Sequence, residues 1–113
     1  FEDTNSYYKI ISIIEEIGDE YRRLAQLYDG KKTNPDILII FKSVNYLLND
    51  YEELLYNYDQ LKFKNFHDVS NRILKLLMNS IPKTQNETRI IGSLSTIFHL
   101  TKSLSEESMV VNL

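Results

Sequence analysis

From Ile37 onward, apolar residues return at alternating intervals of three and four: Ile37, Ile40, Val44, Leu47, Tyr51, Leu54, Tyr58 and Leu61. Only an α-helix gathers such residues into one stripe, whereas a strand would divide them between two faces. The same rhythm runs earlier through Tyr7, Ile10, Ile14, Ile17, Tyr21, Leu24 and Tyr28. Apolar stripes must be covered, so two of them joined by a short polar stretch predict a long helical hairpin. This constrains the chain to an all-α fold. It says what the helices pack against and nothing about chemistry.

Local signals divide the rest. The first helix is expected to begin near Thr4, capped by Asp3 or Thr4, and to stop at Asp29-Gly30, with Lys31-Lys32-Thr33 as a polar turn. Asn34-Pro35-Asp36 is a strong start signal: a capping side chain, a proline whose missing N–H does no harm at the first position, and an acid at the positive end of the helix dipole. The second helix is predicted to run to about Lys62, with Phe41, Leu48 and Leu55 forming a further row seven apart. Asn65 reads as the cap of a third helix whose buried side is Phe66, Val69, Ile73, Leu76 and Leu77, and which ends by Ile81 because proline follows. Thr84-Gln85-Asn86-Glu87 matches the capping box of a fourth, with Ile90, Ile91, Leu94, Ile97, Phe98 and Leu104 facing inward. From Ser105 no period is legible, so residues 1–104 read as one helical domain and 105–113 as a docked or truncated tail. Short links imply an antiparallel, up-down-up-down four-helix bundle built on a long helical hairpin. A short α-solenoid or a coiled-coil fragment is the alternative, although no repeat is visible.

Composition excludes several functions. With 113 residues, 42% of them hydrophobic, the chain suits one ordinary domain with a single core. Residues 1–30 carry three basic against seven acidic side chains, 31–64 five against five, and 65–113 five against four, so no concentrated positive charge invites a nucleic-acid backbone. There is no cysteine, hence no disulfide, thiolate metal site or cysteine nucleophile. The longest apolar run, Ile37 to Phe41, is far short of the roughly 20 residues that span a bilayer. No signal-peptide pattern opens the chain, and a soluble protein, with an intracellular location favoured, is expected. The first residue, Phe1, predicts a processed chain or a piece of a longer protein.

Catalytic patterns are missing. Glu15, Glu16, Asp19 and Glu20 form the densest charge cluster, and the stripe places them on the flanks and outer face as a solvated surface. Neither His67 nor His99 has a Glu three residues before it, as a di-iron bundle needs. The serines lack a nucleophile elbow or Ser-x-x-Lys context, and three glycines make no phosphate loop. Asn86-Glu87-Thr88 is a glycosylation sequon of a kind common by chance. No enzyme, cofactor or metal is expected. The excess of apolar stripe predicts a non-enzymatic protein–protein interaction or assembly domain that binds an amphipathic helix of a partner. Phe41, Tyr46, Leu48, Leu55 and Tyr56 are the candidate contact residues. The alternatives are a small free-standing regulator or inhibitor, of immunity type or a viral helix-capturing bundle, and a homo-oligomerisation module that forms a homodimer.

Overall fold

A computed structural model describes the backbone of residues 2–28 and 34–112, and the side chains of residues 5–28 and 34–109. It contains α1 (Glu2–Leu27), α2 (Pro35–Tyr56), α3 (Gln60–Met78) and α4 (Gln85–Asn112), and no strand among the described residues. The all-α four-helix bundle is the architecture that the stripes require. Two of the expected caps form as well. Asn34 Oδ1 accepts from the Asp36 N–H at 3.0 Å. Thr84 Oγ1 accepts from the Glu87 N–H at 3.1 Å, while the Glu87 carboxylate reaches back to the Lys83 N–H at 2.9 Å. The predicted stop at Asp29-Gly30 lies outside the described residues.

Other boundaries differ from the sequence reading. The second helix ends at Tyr56 rather than near Lys62. The Asp59 carboxylate accepts from the Leu61 N–H at 2.8 Å and starts α3 there, six residues before the expected cap at Asn65. Tyr58 and Leu61 continue the heptad by coincidence; Leu61 is 76% exposed. At the other end, α4 runs through Ser105 to Asn112 instead of dissolving. Its inward positions there are hydroxylic, which apolar periodicity does not register. Ser105 and Ser108 donate to the Lys102 and Leu104 carbonyls, so small polar side chains are buried with their hydrogen bonds met. Far from being a short member of the bundle, α4 is its longest helix, 28 residues against 26 for α1.

That length makes α4 the centre. Leu94, Ile97, Phe98 and Thr101 are fully buried, and each of the other helices rests on α4 or on a neighbour of α4. On α1, Lys9 meets Glu107, Glu20 meets Ser93 and Leu27 meets Asn86, so the two helices run antiparallel. The Tyr51 hydroxyl meets Ser108 at 2.5 Å, and Ile37 lies near Ile90, so α2 is parallel to α4. Antiparallel to α2 on its far side, α3 completes the expected up-down-up-down course. The long hairpin in backbone contact is therefore α2–α3. The consecutive helices α1 and α2 do not approach closely, since α1 spends its apolar side on α4.

This choice of neighbour rotates α1 relative to the expected stripe. The residues against α4 are Ile10, Ile13, Ile17, Glu20, Leu24 and Leu27. Tyr7, Ile14 and Tyr28, read from the heptad as seam, are 54%, 52% and 55% exposed. They belong, with Ile11, Gly18, Tyr21 and Ala25, to a second row one residue further round, about 100° away. Glu20 comes inward by the same rotation, contrary to its expected place on a solvated face: Ser93 Oγ donates to its carboxylate at 2.9 Å, and Arg23 closes the solvent side at 3.2 Å.

Candidate functional site

The second row of α1 has a counterpart on α2. Next to the buried Ile37, Ile40, Val44, Leu47, Tyr51 and Leu54, and again one residue further round, come Leu38, Phe41, Asn45, Leu48, Glu52 and Leu55. The two rows face each other across the gap between α1 and α2. Tyr21 donates its hydroxyl to Asn45 Oδ1 at 2.5 Å and bridges the gap at one point. On one side of this bridge lies a pocket of about 370 Å³. Leu24, Ala25 and Tyr28 form its α1 wall, Leu38 and Phe41 its α2 wall, and Ile90 of α4 its floor.

Polar chemistry is nearly absent from this pocket. The Tyr21 phenol, engaged by Asn45, has its pKa pushed up by burial and is not an acid for catalysis. Among the described lining residues the only other polar group is the Tyr28 hydroxyl, fewer than the convergent set that a site for a small polar ligand needs. The volume suits apolar side chains projecting from another protein. Beyond the bridge the rows continue as an open valley, where Ile11 and Ile14 on α1 are 53% and 52% exposed and Leu55 on α2 is 46% exposed. The contacts with α4 set the register of the two lips: Glu20 meets Ser93 and Lys9 meets Glu107, while Ile37 lies near Ile90 and Tyr51 meets Ser108, so the Tyr51 end of α2 stands level with the Lys9 end of α1. From Tyr28 to Tyr7 the α1 lip is about 31 Å long at 1.5 Å per residue.

No protein-family model, curated protein sequence or solved structure matches this chain. The reading of the valley therefore stands on its geometry.

Three of the five residues singled out from the sequence belong to this feature. Phe41 walls the pocket, and Leu48 and Leu55, seven and fourteen residues on, share its face. Leu48 is half-buried against the core, while Leu55 is open. Tyr46 and Tyr56 are elsewhere. Tyr46 flanks a cleft on the α3 side beside Val69 and Leu76, and Tyr56 stands 79% exposed in a polar setting with Asn49, Glu52, Glu53 and Lys62. The α1 half of the valley went unseen in the sequence because Tyr7, Ile14 and Tyr28 read as core and Ile11 and Ala25 belonged to no stripe. The signal left unread was that the α1 stripe merges two rows one residue apart, one through Ile10, Ile17 and Leu24 and the other through Tyr7, Ile11, Ile14, Tyr21, Ala25 and Tyr28.

Several other expectations can be placed. Gly92 and Thr96 are small and four apart on α4, a spacing that can admit a partner helix closely, yet no described helix packs there: both are exposed, and a Cβ on Gly92 would meet nothing within 4 Å. The nitrogen of Asn86 that a glycan would use donates instead to the Leu27 carbonyl at 3.0 Å. His67 is exposed and stacks on Phe63 at 5.8 Å. Among the described residues no group of three or more His, Asp or Glu side chains could hold a metal ion. No described helix is long and apolar enough to cross a membrane.

Proposed function

We propose that this chain is a helical protein–protein interaction domain, and that the valley between α1 and α2 seats one amphipathic helix of a partner protein. One observation carries the reading. Two apolar rows, each adjacent to a buried row and level with one another, leave Tyr7, Ile11, Ile14, Tyr28, Leu38 and Leu55 between 41% and 55% exposed. Scattered apolar residues on a surface need no explanation, but two facing rows on neighbouring helices are an unfilled helix position. A helix laid there would contact α1 and α2 as they contact α4, with anchors at i, i+3, i+4 and i+7 and one large side chain in the pocket. The interaction reading thus keeps Phe41, Leu48 and Leu55 as contacts, adds Ile11, Ile14 and Leu38, and leaves Tyr46 and Tyr56 outside.

The test uses a fluorescent amphipathic peptide of about 21 residues, long enough for the α1 lip, with leucines at heptad positions and uncharged flanks. Fluorescence anisotropy against the full chain should show saturable binding. Ile14→Ser combined with Leu38→Ser should weaken it about tenfold or more while leaving the helical CD spectrum intact, because both positions are about half exposed. Binding that survives this pair unchanged, or no saturable binding at all, would refute the proposal.

A further inference from the structure

We infer that the chain has a second docking surface, the groove between α2 and α3, and that it takes an acidic amphipathic segment of a partner protein. This groove lies on the other flank of α2: Phe41 turns toward the valley, Ser43 and Tyr46 toward α3. The inference is therefore independent of the reading above. The groove has a volume of about 620 Å³. Lys42 and Tyr46 rise from α2, Val69, Arg72 and Leu76 from α3, and the buried Ile73 forms the floor. Tyr46 is 56% exposed and Leu76 39% exposed. An apolar surface thus lies open between two cations, one from each helix.

Charge is segregated to this side of the molecule. Along α3, Lys62, Lys64, Arg72 and Lys75 stand against the single acid Asp68, whereas the whole chain carries a net charge of −3. None of the described residues lining the groove is acidic, and among the described residues neither Lys42 nor Arg72 makes an ion pair. Asp68, one turn before Arg72, does not reach it. Asp50, one turn past Tyr46, lies in the fields of Glu53 and Lys62 instead.

Whatever covers the groove must meet an apolar floor and two cations together. A purely apolar segment would strip water from Lys42 and Arg72 and return nothing, and a basic one would add like charges. Glutamate or aspartate beside one or two apolar anchors answers both demands. The anchors cover Val69, Ile73 and Leu76, the Tyr46 ring supplies a large contact area, and the carboxylates reach the cations. A nucleic acid fits worse, because its backbone is held by many cations and its bases by stacking, whereas this floor is aliphatic.

The test uses labelled peptides of about 14 residues, long enough to follow α3 from Asn65 to Leu76, identical in two leucines and carrying Glu, Gln or Lys beside them. Anisotropy against the full chain in about 50 mM salt should show the Glu peptide binding roughly fivefold tighter than the Gln peptide, the scale of two rim pairs. The gap should narrow in about 500 mM salt as screening sets in. Lys42→Gln with Arg72→Gln, both at exposed positions, should abolish the preference and leave the melting curve unchanged, while Ile14→Ser with Leu38→Ser should leave the preference intact. Amide NMR shifts on adding the Glu peptide should cluster between Lys42 and Tyr46 and between Asn65 and Leu76. Equal binding of the three peptides, no saturable binding, or a Glu preference that survives the Lys42 and Arg72 changes would overturn the proposal. So would a single-stranded oligonucleotide that binds more tightly than the Glu peptide, or a dimer in sedimentation that the same two changes dissolve, since the groove would then belong to nucleic acid or to a second copy of the chain. None of these results bears on the valley, whose peptide has uncharged flanks.

Discussion

Removing the Ser93 hydroxyl tests whether α1 is rotated as described. Ser93 is 4% exposed and Glu20 9% exposed, and among the described residues the serine is the only α4 donor to the carboxylate. A hydrogen bond to a charged group contributes about 1.5–3 kcal/mol. Arg23 remains on the solvent side of Glu20 in Ser93→Ala, with 66% of its side chain exposed, so the loss belongs at the lower end of that range. Alanine, the better helix former, returns about 0.5 kcal/mol. The expected net cost is about 1–1.5 kcal/mol, read as a fall in urea midpoint of roughly 1 M and a Tm lower by about 4–6 °C. Urea unfolding followed by far-UV CD measures it. Replacing both partners, Glu20→Leu with Ser93→Ala, should recover most of the loss, because no buried charge is then left short of a donor. If Ser93→Ala stays within about 0.5 kcal/mol of the parent, or if the double variant is as unstable as the summed single changes, Glu20 faces solvent and the rotation of α1 is wrong.

Other expectations follow from single residues. Asp50 on α2 is half-buried and has one oxygen without a hydrogen-bond partner. Burial, aided by Glu53 and opposed by Lys62, raises its pKa above the ordinary 3.8. Its ionised form therefore weakens the fold, and the relief that protonation brings is complete below the ordinary value and lost as pH rises through the raised one. Asp50→Asn should accordingly be more stable than the parent near pH 7, and the advantage should vanish in chemical melts below about pH 3.8. Gly18→Ala should add up to about 1 kcal/mol in the same assay, since a Cβ there meets nothing within 4 Å. Leu94→Ala, at a fully buried position on α4, should cost about 2–5 kcal/mol. Leu61→Ser should cost under about 0.5 kcal/mol, whereas a Leu61 seated in an α2 heptad would cost several times more.

Heptad spacing alone determined that this chain is helical, that it folds as a bundle, and that Phe41, Leu48 and Leu55 share one face of α2. Caps with a side-chain oxygen beside the first free N–H groups determined where α2 and α4 begin, because that chemistry is complete within a few residues. Which helix covers which stripe was beyond local reading. Two adjacent heptads on α1, one through Ile10, Ile17 and Leu24 and the other through Tyr7, Ile14 and Tyr28, are both apolar, and burying one leaves the other at the surface. The long α4 decided between them. Its small inward serines and threonine bond to their own backbone or to Glu20 and Tyr51, so they pack without an apolar signature and left the central helix looking short. Only when α4 stands between α1 and α2 do their second rows come level across a gap. The candidate site is a product of tertiary packing, since a groove is made by the distance between helices and no spacing within one helix records that distance.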